Sequence, residues 1–193
     1  MDHQAEEIAL IDRALNGERE AFGQLMHRYA GAVYGLAYRM LGTPQDAEDA
    51  SQEIFLRAYT NLARFDRTRR FSTWLLSIGS NYCVDRLRRQ RYNWLTLDDV
   101  AFTITSPLRG PEGGAIVREQ REAVQRALQS LPEGYRLVTV LRYWQDLSYQ
   151  EIAEATGLTE STIKTRLHRA RNMLAERLSL DGVDLCEPEP TTS

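Results

Sequence analysis

The sequence of 193 residues contains only two cysteines, Cys83 and Cys186, which lie far apart and belong to no CxxC or Cys/His pattern. Neither a disulfide framework nor a zinc site is expected, and we predict no metal site and no cofactor. The N-terminal stretch MDHQAEEIALIDRAL lacks the basic flank and apolar run of a signal peptide. No uninterrupted apolar run approaches the roughly 20 residues that a membrane-spanning helix needs. We therefore expect a cytoplasmic protein with no membrane insertion.

Recognisable catalytic motifs are also missing. The sequence has no Walker A loop, no paired-carboxylate site and no nucleophilic triad, so we expect a protein that is not an enzyme. Its formal net charge of −3 argues against a simple nucleic-acid binder. A nucleic-acid footprint is a local patch, however, so the distribution of charge along the chain carries more information than its sum.

The chain is organised as two helix-rich blocks. Helical patterns run from Ala5 to about Arg91 and return from Ala115 to about Leu178. The intervening stretch YNWLTLDDVAFTITSPLRGPEGG holds two prolines and three of the twelve glycines and has no helical period, which predicts a linker. The C-terminal stretch SLDGVDLCEPEPTTS is acidic and rich in Pro, Thr and Ser, which predicts disorder. We therefore predict an all-α fold of two small helical domains joined by a flexible linker.

The stretch LSYQEIAEATGLTESTIKTRLHRARNML, residues 147–174, predicts a helix-turn-helix. Ser148 followed by Glu151 forms a capping box, Gly157 suits a left-handed helix end, and Thr159 caps a second helix. The second helix has one apolar stripe, made of Ile163, Leu167, Ala170, Leu174 and Leu178. A short helix, a three-residue turn and a longer helix are typical of a DNA reader.

The opposite face of this second helix carries small polar and basic residues suited to a major groove. The residues on this face are Ser161, Thr165, His168 and Asn172, which Lys164 and Arg169 flank. Arg166 and Arg171 lie nearer its borders, where long side chains can reach phosphates. A solvated basic face is the alternative reading, and His168 is compatible with a simple surface histidine. The clustering of Ser and Thr at the start of the helix favours contact with DNA, because that end approaches the base edges.

A helix with an acidic stripe is predicted in the first block, with Thr43 as its N-cap and Pro44 at its first position. Asp46, Asp49 and Glu53 recur along one line, with Gln52 beside them. A separate apolar stripe contains Ala47, Ala50, Ile54, Ala58 and Leu62. The helix dipole favours acidic residues in a first turn, so a solvated face is a sufficient explanation of this stripe taken alone.

The next stretch, FDRTRRFSTWLLSIGSNYCVDRLRRQR, has the opposite charge balance. From Asp66 to Arg91 it holds seven arginines and two aspartates, and Ser72 or Thr73 is expected to cap a helix. Cations interleaved with aromatic and amide side chains suit unpaired bases. Core packing is an equally good reading for Phe71 and Trp74. Contact with phosphates is the better reading for the clustered cations Arg86, Arg88, Arg89 and Arg91.

Together these stretches resemble RNA polymerase sigma factors of the sigma-70 family, in their extracytoplasmic function (ECF) class. The resemblance is carried by DAEDASQEIFLRAY (46–59), by FSTWLLSIGSNYCVDRLRR (71–89) and by LQSLPEGYRLVTVLRYWQDLSYQEIAEATGLTESTIKTRLHRARNML (128–174). FGQLMHRYAGAVYGLAYRMLG (22–42) matches more weakly. The order and spacing of these stretches are more specific than any one of them.

The resemblance implies a sigma2-like domain at residues 1–91. This domain would bind core polymerase on the clamp helices of its β′ subunit, and the whole factor would also meet the β subunit. The residues implied in that docking are Asp46, Asp49, Gln52 and Glu53. The same domain would recognise and melt the minus-10 promoter element and hold its single-stranded non-template strand. The residues implied there are Phe65, Asp66, Arg70, Phe71, Ser72, Trp74, Asn81, Asp85, Arg88 and Arg89.

The resemblance further implies a linker at 92–116 and a sigma4-like helix-turn-helix domain at 117–178 that reads duplex minus-35 DNA. The residues implied in that reading are Ser161, Thr162, Lys164, Thr165, Arg166, His168 and Arg169. The acidic tail at 179–193 extends past the expected end of this domain. It implies an anti-sigma partner and a role in a stress response. The tail is either inert or covers a binding surface electrostatically. Two other readings stay open: a stand-alone helix-turn-helix regulator that binds duplex DNA without polymerase, and an interaction protein such as an anti-sigma antagonist or adaptor.

Overall fold

The computed structural model describes residues 3–96 and 115–180, and every regular element within these ranges is helical. The first range forms α1 (His3–Leu15), α2 (Arg19–Leu41), α3 (Pro44–Asn61), a 3-10 turn (Leu62–Arg64) and α4 (Phe71–Thr96). The second range forms α5 (Ala115–Ser130), α6 (Glu133–Tyr143), α7 (Tyr149–Thr156) and α8 (Glu160–Leu180). The prediction of an all-α fold with two helical domains is confirmed. Most of the expected linker and tail falls outside the described residues.

The N-terminal domain packs α2, α3 and α4 around one core, with α1 against α2. Its predicted α3 stripe is confirmed, because all five of its members are buried. Gly79 allows α4 to come close to its neighbours. A Cβ atom at this position would lie 2.9 Å from Leu36 Cδ2 and 3.5 Å from Ile54 Cδ1. A larger residue at position 79 would therefore push α4 away from α2.

The helix ends follow the local signals in the sequence. Gly42 ends α2 with φ 96°, a conformation that favours glycine. Thr43 then caps α3, accepting a 3.1 Å hydrogen bond from the Asp46 amide, and Pro44 opens the helix. In the C-terminal domain the Ser148–Glu151 capping box is present and Gly157 has φ 71°. Both predicted helix starts are confirmed.

The predicted helix-turn-helix is formed by α7 and α8. Thr159 accepts a 3.2 Å hydrogen bond from the Thr162 amide. The apolar stripe of α8 faces the core: Ile163, Leu167, Ala170 and Leu178 are buried, and Leu174 is half-buried. The helix therefore presents its polar face outward, as its spacing predicts.

α4 differs from the expectation at both ends. It begins at Phe71, because the Trp74 amide bonds to the Arg70 carbonyl at 3.2 Å. Ser72 and Thr73 therefore lie within its first turn, and the expectation that one of them caps the helix is wrong. The helix also continues to Thr96, past the expected end near Arg91.

The two domains lie in contact. α4 packs along α7, and α2 packs against α5 and α6. The contacts bring residues of both predicted DNA-reading surfaces into one cleft. This arrangement could not be predicted from the helical patterns.

Candidate functional site

The acidic stripe of α3 divides into exposed and paired residues. Asp49 and Gln52 are exposed, whereas Asp46 and Glu53 are partly covered. Asp46 forms an ion pair with Arg86 of α4 and also accepts a 2.7 Å hydrogen bond from the Thr43 hydroxyl. Glu53 accepts a 2.7 Å hydrogen bond from Arg57. The freely presented polar groups are therefore those of Asp49 and Gln52, while Asp46 also ties α3 to α4.

Two apolar residues extend this face of α3 and were missed by the sequence reasoning. Leu56 is 60% exposed and Tyr59 is 41% exposed. Leu56 follows Gln52 and Glu53 at spacings of four and three, so it lies on their face of the helix. Helical spacing was the available signal, but only charge and amide groups were sought there. Exposed apolar groups beside polar ones are typical of a protein docking surface.

The aromatic residues of the basic stretch form a packed cluster. The ring centroids of Phe65, Phe71 and Trp74 lie 5.2 to 5.5 Å apart, and Tyr29 lies 5.5 Å from Phe71. Phe65 and Phe71 are buried, and Trp74 is half-buried. For Phe71 the structure favours the core alternative. The cluster forms a firm base for the loop at 66–70, which it flanks.

The loop at 66–70 presents five exposed side chains. Asp66 shapes the loop by accepting hydrogen bonds from the Thr68 amide (3.0 Å) and hydroxyl (2.7 Å). These bonds hold the pKa of Asp66 below its usual value. Arg67 pairs with Asp12, and Arg70 donates a 2.8 Å hydrogen bond to Glu151 of α7. Of the predicted residues here, Asp66 and Arg70 are both accessible, but Arg70 is bound to the other domain.

The polar face of α4 forms one wall of a cleft between the domains. Asn81, Asp85 and Arg88 are exposed and line this cleft, whose volume is about 570 Å³. Residues of α6, α7 and α8 line the opposite wall, among them Glu133, Gly134, Thr156 and Arg166. Arg88 Nε lies 3.9 Å from Glu133 Oε1. The predicted minus-10 surface of α4 therefore faces the C-terminal domain.

Two arginines of the basic cluster, Arg86 and Arg89, do not line this cleft. Arg89 is exposed on a separate groove that it shares with Arg57 and Tyr82. Arg86 pairs with Asp46 and donates a 3.2 Å hydrogen bond to the Tyr82 hydroxyl. The phosphate role expected for Arg86 is therefore not supported, because its guanidinium already has partners within the domain. Ser72, another predicted residue, is half-buried.

The polar face of α8 is accessible along most of its length. Ser161, Lys164, Thr165, His168 and Arg169 are exposed, and Thr162 is half-covered. Lys164 lies over the Tyr149 ring at 5.5 Å. Arg166 differs from this group, because it is half-buried and its Nη1 would lie 2.9 Å from a Cβ atom at Gly134. Seven predicted residues thus separate into six on the outward side and Arg166 in the cleft.

Both helical domains are similar to known proteins. The family description "Sigma-70 region 2" matches residues 25–92, and "Sigma-70, region 4" matches residues 121–174. The chain is 37% identical over 176 residues to the ECF RNA polymerase sigma factor SigW of Bacillus subtilis (strain 168), covering 87% of this chain and 94% of that protein. The chain belongs to the ECF class of the sigma-70 family. This sigma factor directs promoter-specific transcription initiation through core RNA polymerase.

Solved structures agree with this assignment. A structure of CnrH in complex with the cytosolic domain of CnrY has a TM-score of 0.65 and 30% identity, covering 92% of this chain and 99% of that one. The sigma factor RpoE of Bartonella quintana, in complex with the anti-sigma factor NepR, has a TM-score of 0.70 at 24% identity and covers 83% of this chain and 98% of that one. The second likeness supports the fold.

Two other classes of site are not found in the described part of this sigma factor. Within residues 3–96 and 115–180, no cluster of His, Cys, Asp and Glu side chains is arranged to hold a metal ion. In the same ranges, no helix combines the length and apolar character that membrane crossing requires.

Proposed function

We propose that the three surfaces divide the work of promoter recognition. The α3 face, with Asp49 and Gln52 exposed and Leu56 beside them, docks on the clamp helices of the polymerase β′ subunit. The loop at 66–70 and the polar face of α4 recognise and open the minus-10 element. The outward face of α8 reads the duplex minus-35 element. The separation of an acidic docking face from two basic or small-polar faces is the observation that carries this proposal.

Strand opening in this proposal needs no nucleotide hydrolysis. Unpairing costs a few kcal/mol per base, and stacking on aromatic side chains offsets about 1–3 kcal/mol per base. Trp74 is the half-buried aromatic beside the exposed loop, so it is the member of the cluster best placed to stack. The protein acts as a regulatory specificity factor for the catalysis of polymerase and is not itself an enzyme. It works in the cytoplasm, where polymerase and chromosome meet.

The domain roles follow the predicted boundaries: residues 1–91 for polymerase and minus-10 contacts, 92–116 as the linker and 117–178 for minus-35 contacts. The sigma factor RpoE, which shares the fold, has been solved with its anti-sigma factor NepR. We infer that this chain is likewise held inactive by an anti-sigma partner. If that partner competes with polymerase, its release would be sufficient for this sigma factor to start its transcripts.

Run-off transcription with bacterial core polymerase tests the proposal. The protein alone, core alone and the mixture would be compared on a pool of upstream DNA. We expect only the mixture to select DNA and start transcripts. If the free protein selects duplex DNA equally well and core adds nothing, the chain acts as a stand-alone regulator.

A pair of α3 variants locates the docking face. Asp49→Ala should lower polymerase affinity and transcription together, because Asp49 is exposed on the proposed face. Glu48→Ala is the matched control, since Glu48 is an equally exposed acidic neighbour turned about 100° around the helix. Equal losses in the two variants would show that net charge, not this face, determines docking.

A further inference from the structure

The first helix, α1, carries none of the residues proposed above to meet polymerase or promoter DNA, yet it contacts the loop at 66–70. Leu10 and Ile11 of α1 are buried in the core of the N-terminal domain and fix this helix against α2. Asp12 follows Ile11, and its carboxylate forms an ion pair with Arg67 of the loop. The core therefore holds an acidic group beside the loop proposed to meet the minus-10 element.

The pair of Arg67 with Asp12 differs from the other ion pairs of the loop. Arg70 bonds to a residue of the C-terminal domain, and Arg69 lies 3.8 Å from Asp66 of the loop itself. In the part of the chain that the structure describes, the contact of Arg67 with Asp12 is the one ion pair that joins the loop to another element of its own domain.

Apolar packing fixes the two ends of the loop. Phe65 before the loop and Phe71 after it are buried, and their ring centroids lie 5.5 Å apart. The ring of Tyr29 lies 5.5 Å from that of Phe71, and its hydroxyl donates a hydrogen bond to Glu7 of α1. The first helix therefore supports the loop at two places: at its end, through Glu7 and Tyr29, and within the loop, through Asp12.

A loop that is held in shape binds a captured base more tightly than a mobile loop. Ordering the backbone of a residue opposes binding, and a loop that already has its bound shape avoids this loss. The side chains of Arg67 and Asp12 are 53% and 42% exposed, so their pair contributes little to the stability of the whole domain. Loss of the pair should therefore release the loop from α1 without unfolding the protein.

Competition with DNA is the other role that this contact would suit, and its effect has the opposite sign. A guanidinium group binds a phosphate in the same way as a carboxylate, so Asp12 would occupy Arg67 until a DNA phosphate displaced it. Two observations favour positioning instead. The buried neighbours of Asp12 keep it beside the loop, and Arg69, which is 54% exposed and only loosely paired, is the freer cation for a phosphate.

We propose that Asp12 is a positioning residue for promoter opening. Paired with Arg67, it holds the loop at 66–70 in the shape that captures an unpaired base of the minus-10 element, and it leaves Arg69 to contact phosphate. Asp12 acts only through Arg67 and does not touch DNA. The proposal rests on the minus-10 role proposed above for this loop.

Promoter opening by the holoenzyme tests this role. A promoter selected in the run-off experiment would carry 2-aminopurine in the non-template strand of its minus-10 element, where fluorescence rises when the base leaves the stack. Asp12→Asn removes one charge and keeps the shape of the side chain. Glu176→Gln is the matched control, since Glu176 is an exposed carboxylate near the end of α8. The double exchange Asp12→Arg/Arg67→Asp keeps an ion pair with its charges reversed.

We expect Asp12→Asn to lower the equilibrium constant of opening about two- to fivefold, and Glu176→Gln to leave it unchanged. The affinity of the holoenzyme for a duplex minus-35 fragment, which a general loss of folding would also lower, should be the same in both variants. Arg67→Asp alone should impair opening, and the double exchange should recover most of the loss, because the pair is present again.

Three results would overturn the positioning role. Stronger opening by Asp12→Asn would show that Asp12 competes with DNA, and unchanged opening would show that the pair has no part in it. A double exchange that opens no better than Arg67→Asp alone would assign Arg67 to a phosphate. A wild-type holoenzyme that opens no promoter would instead contradict the function proposed above, so the two failures are distinguishable.

Discussion

Arg70 of the N-terminal domain forms an ion pair with Glu151 of the C-terminal domain. Arg70 donates to Glu151 Oε1 at 2.8 Å, while Oε2 accepts bonds from the Ser148 amide and hydroxyl at 2.9 and 2.8 Å. The glutamate of a helix capping box thus also holds an arginine of the loop proposed to meet the minus-10 element. The start of the helix-turn-helix and the position of that loop are coupled through one side chain.

An exchange of charges tests this coupling. Arg70→Glu and Glu151→Arg should each lower the free energy of unfolding, measured by urea denaturation, and the double variant should restore part of the loss. The side chain of Arg70 is 72% exposed, so the pair should contribute only about 0.2–1 kcal/mol to the free energy of unfolding. If the double variant loses the sum of the two single effects, the pair does not contribute to stability.

Acid should lower the stability of the protein through the same carboxylate. Burial acts to raise the pKa of Glu151, but hydrogen bonds from Ser148 and Arg70 outweigh it and hold the pKa below its usual value. Glu151 therefore contributes fully to the free energy of unfolding above its unfolded pKa of about 4.3. This contribution is lost as the pH falls through the lower folded pKa. Arg70 keeps its charge over this range, and Glu7 and Tyr29 are its other charged or titratable neighbours.

Urea denaturation at a series of pH values from pH 7 down to pH 3 provides the readout. The contribution of Glu151 to the free energy of unfolding should be constant at neutral pH and should fall below about pH 4.3. Glu151→Gln should lack the part of this transition that Glu151 causes. Identical acid profiles for the wild type and Glu151→Gln would show that Glu151 does not cause the transition.

Arg136→Lys should lower the stability of the protein. The guanidinium donates hydrogen bonds to four acceptors from a buried position, and an ammonium group cannot reproduce this planar arrangement. We expect a loss of about 2–4 kcal/mol in the free energy of unfolding, measured by urea denaturation. Arg126→Lys is the control, because Arg126 is exposed on α5. An equal midpoint for both variants would show that the buried bonds contribute nothing.

Asp46 and Asp49 should respond differently to removal. Asp46 pairs with Arg86 and accepts from Thr43, so Asp46→Ala should lower stability by about 1 kcal/mol and shift the melting temperature downward. Asp49 is exposed, so Asp49→Ala should leave the melting temperature unchanged while weakening polymerase binding. A thermal melt and a binding titration on both variants separate the two roles. A stability loss in Asp49→Ala would contradict this division.

Arg169 should act through phosphates rather than through bases. In holoenzyme, Arg169→Ala should weaken minus-35 binding about equally on all sequences and reduce the slope of log K against log salt by about 0.9. Fluorescence anisotropy at several salt concentrations measures this slope. Arg177→Ala is the control, since Arg177 is exposed near the other end of α8. A change in sequence preference without a change in slope would instead indicate that Arg169 reads bases.

The helix-turn-helix could be predicted from sequence because its signals are local. Ser148 and Glu151 are three residues apart, Gly157 acts through its own backbone, and the α8 stripe repeats within one helix. The same holds for Thr43 and Pro44 at the start of α3. The start of α4 was misplaced, since Ser72 and Thr73 are common caps and the acceptor that begins the helix is the Arg70 carbonyl. Every residue has a backbone carbonyl, so the sequence does not show which carbonyl begins the helix.

The sequence by itself determined the helices, the charge of each face and the family. The tertiary structure decided which of those charges are free. Arg86 and Asp46 are 40 residues apart and satisfy one another, and Arg136 reaches the end of α2 across 96 residues. Such pairs depend on how packed helices meet in space, which no spacing along a helix encodes. The closed cleft between the domains has the same origin, because the side chains that line it come from four different helices.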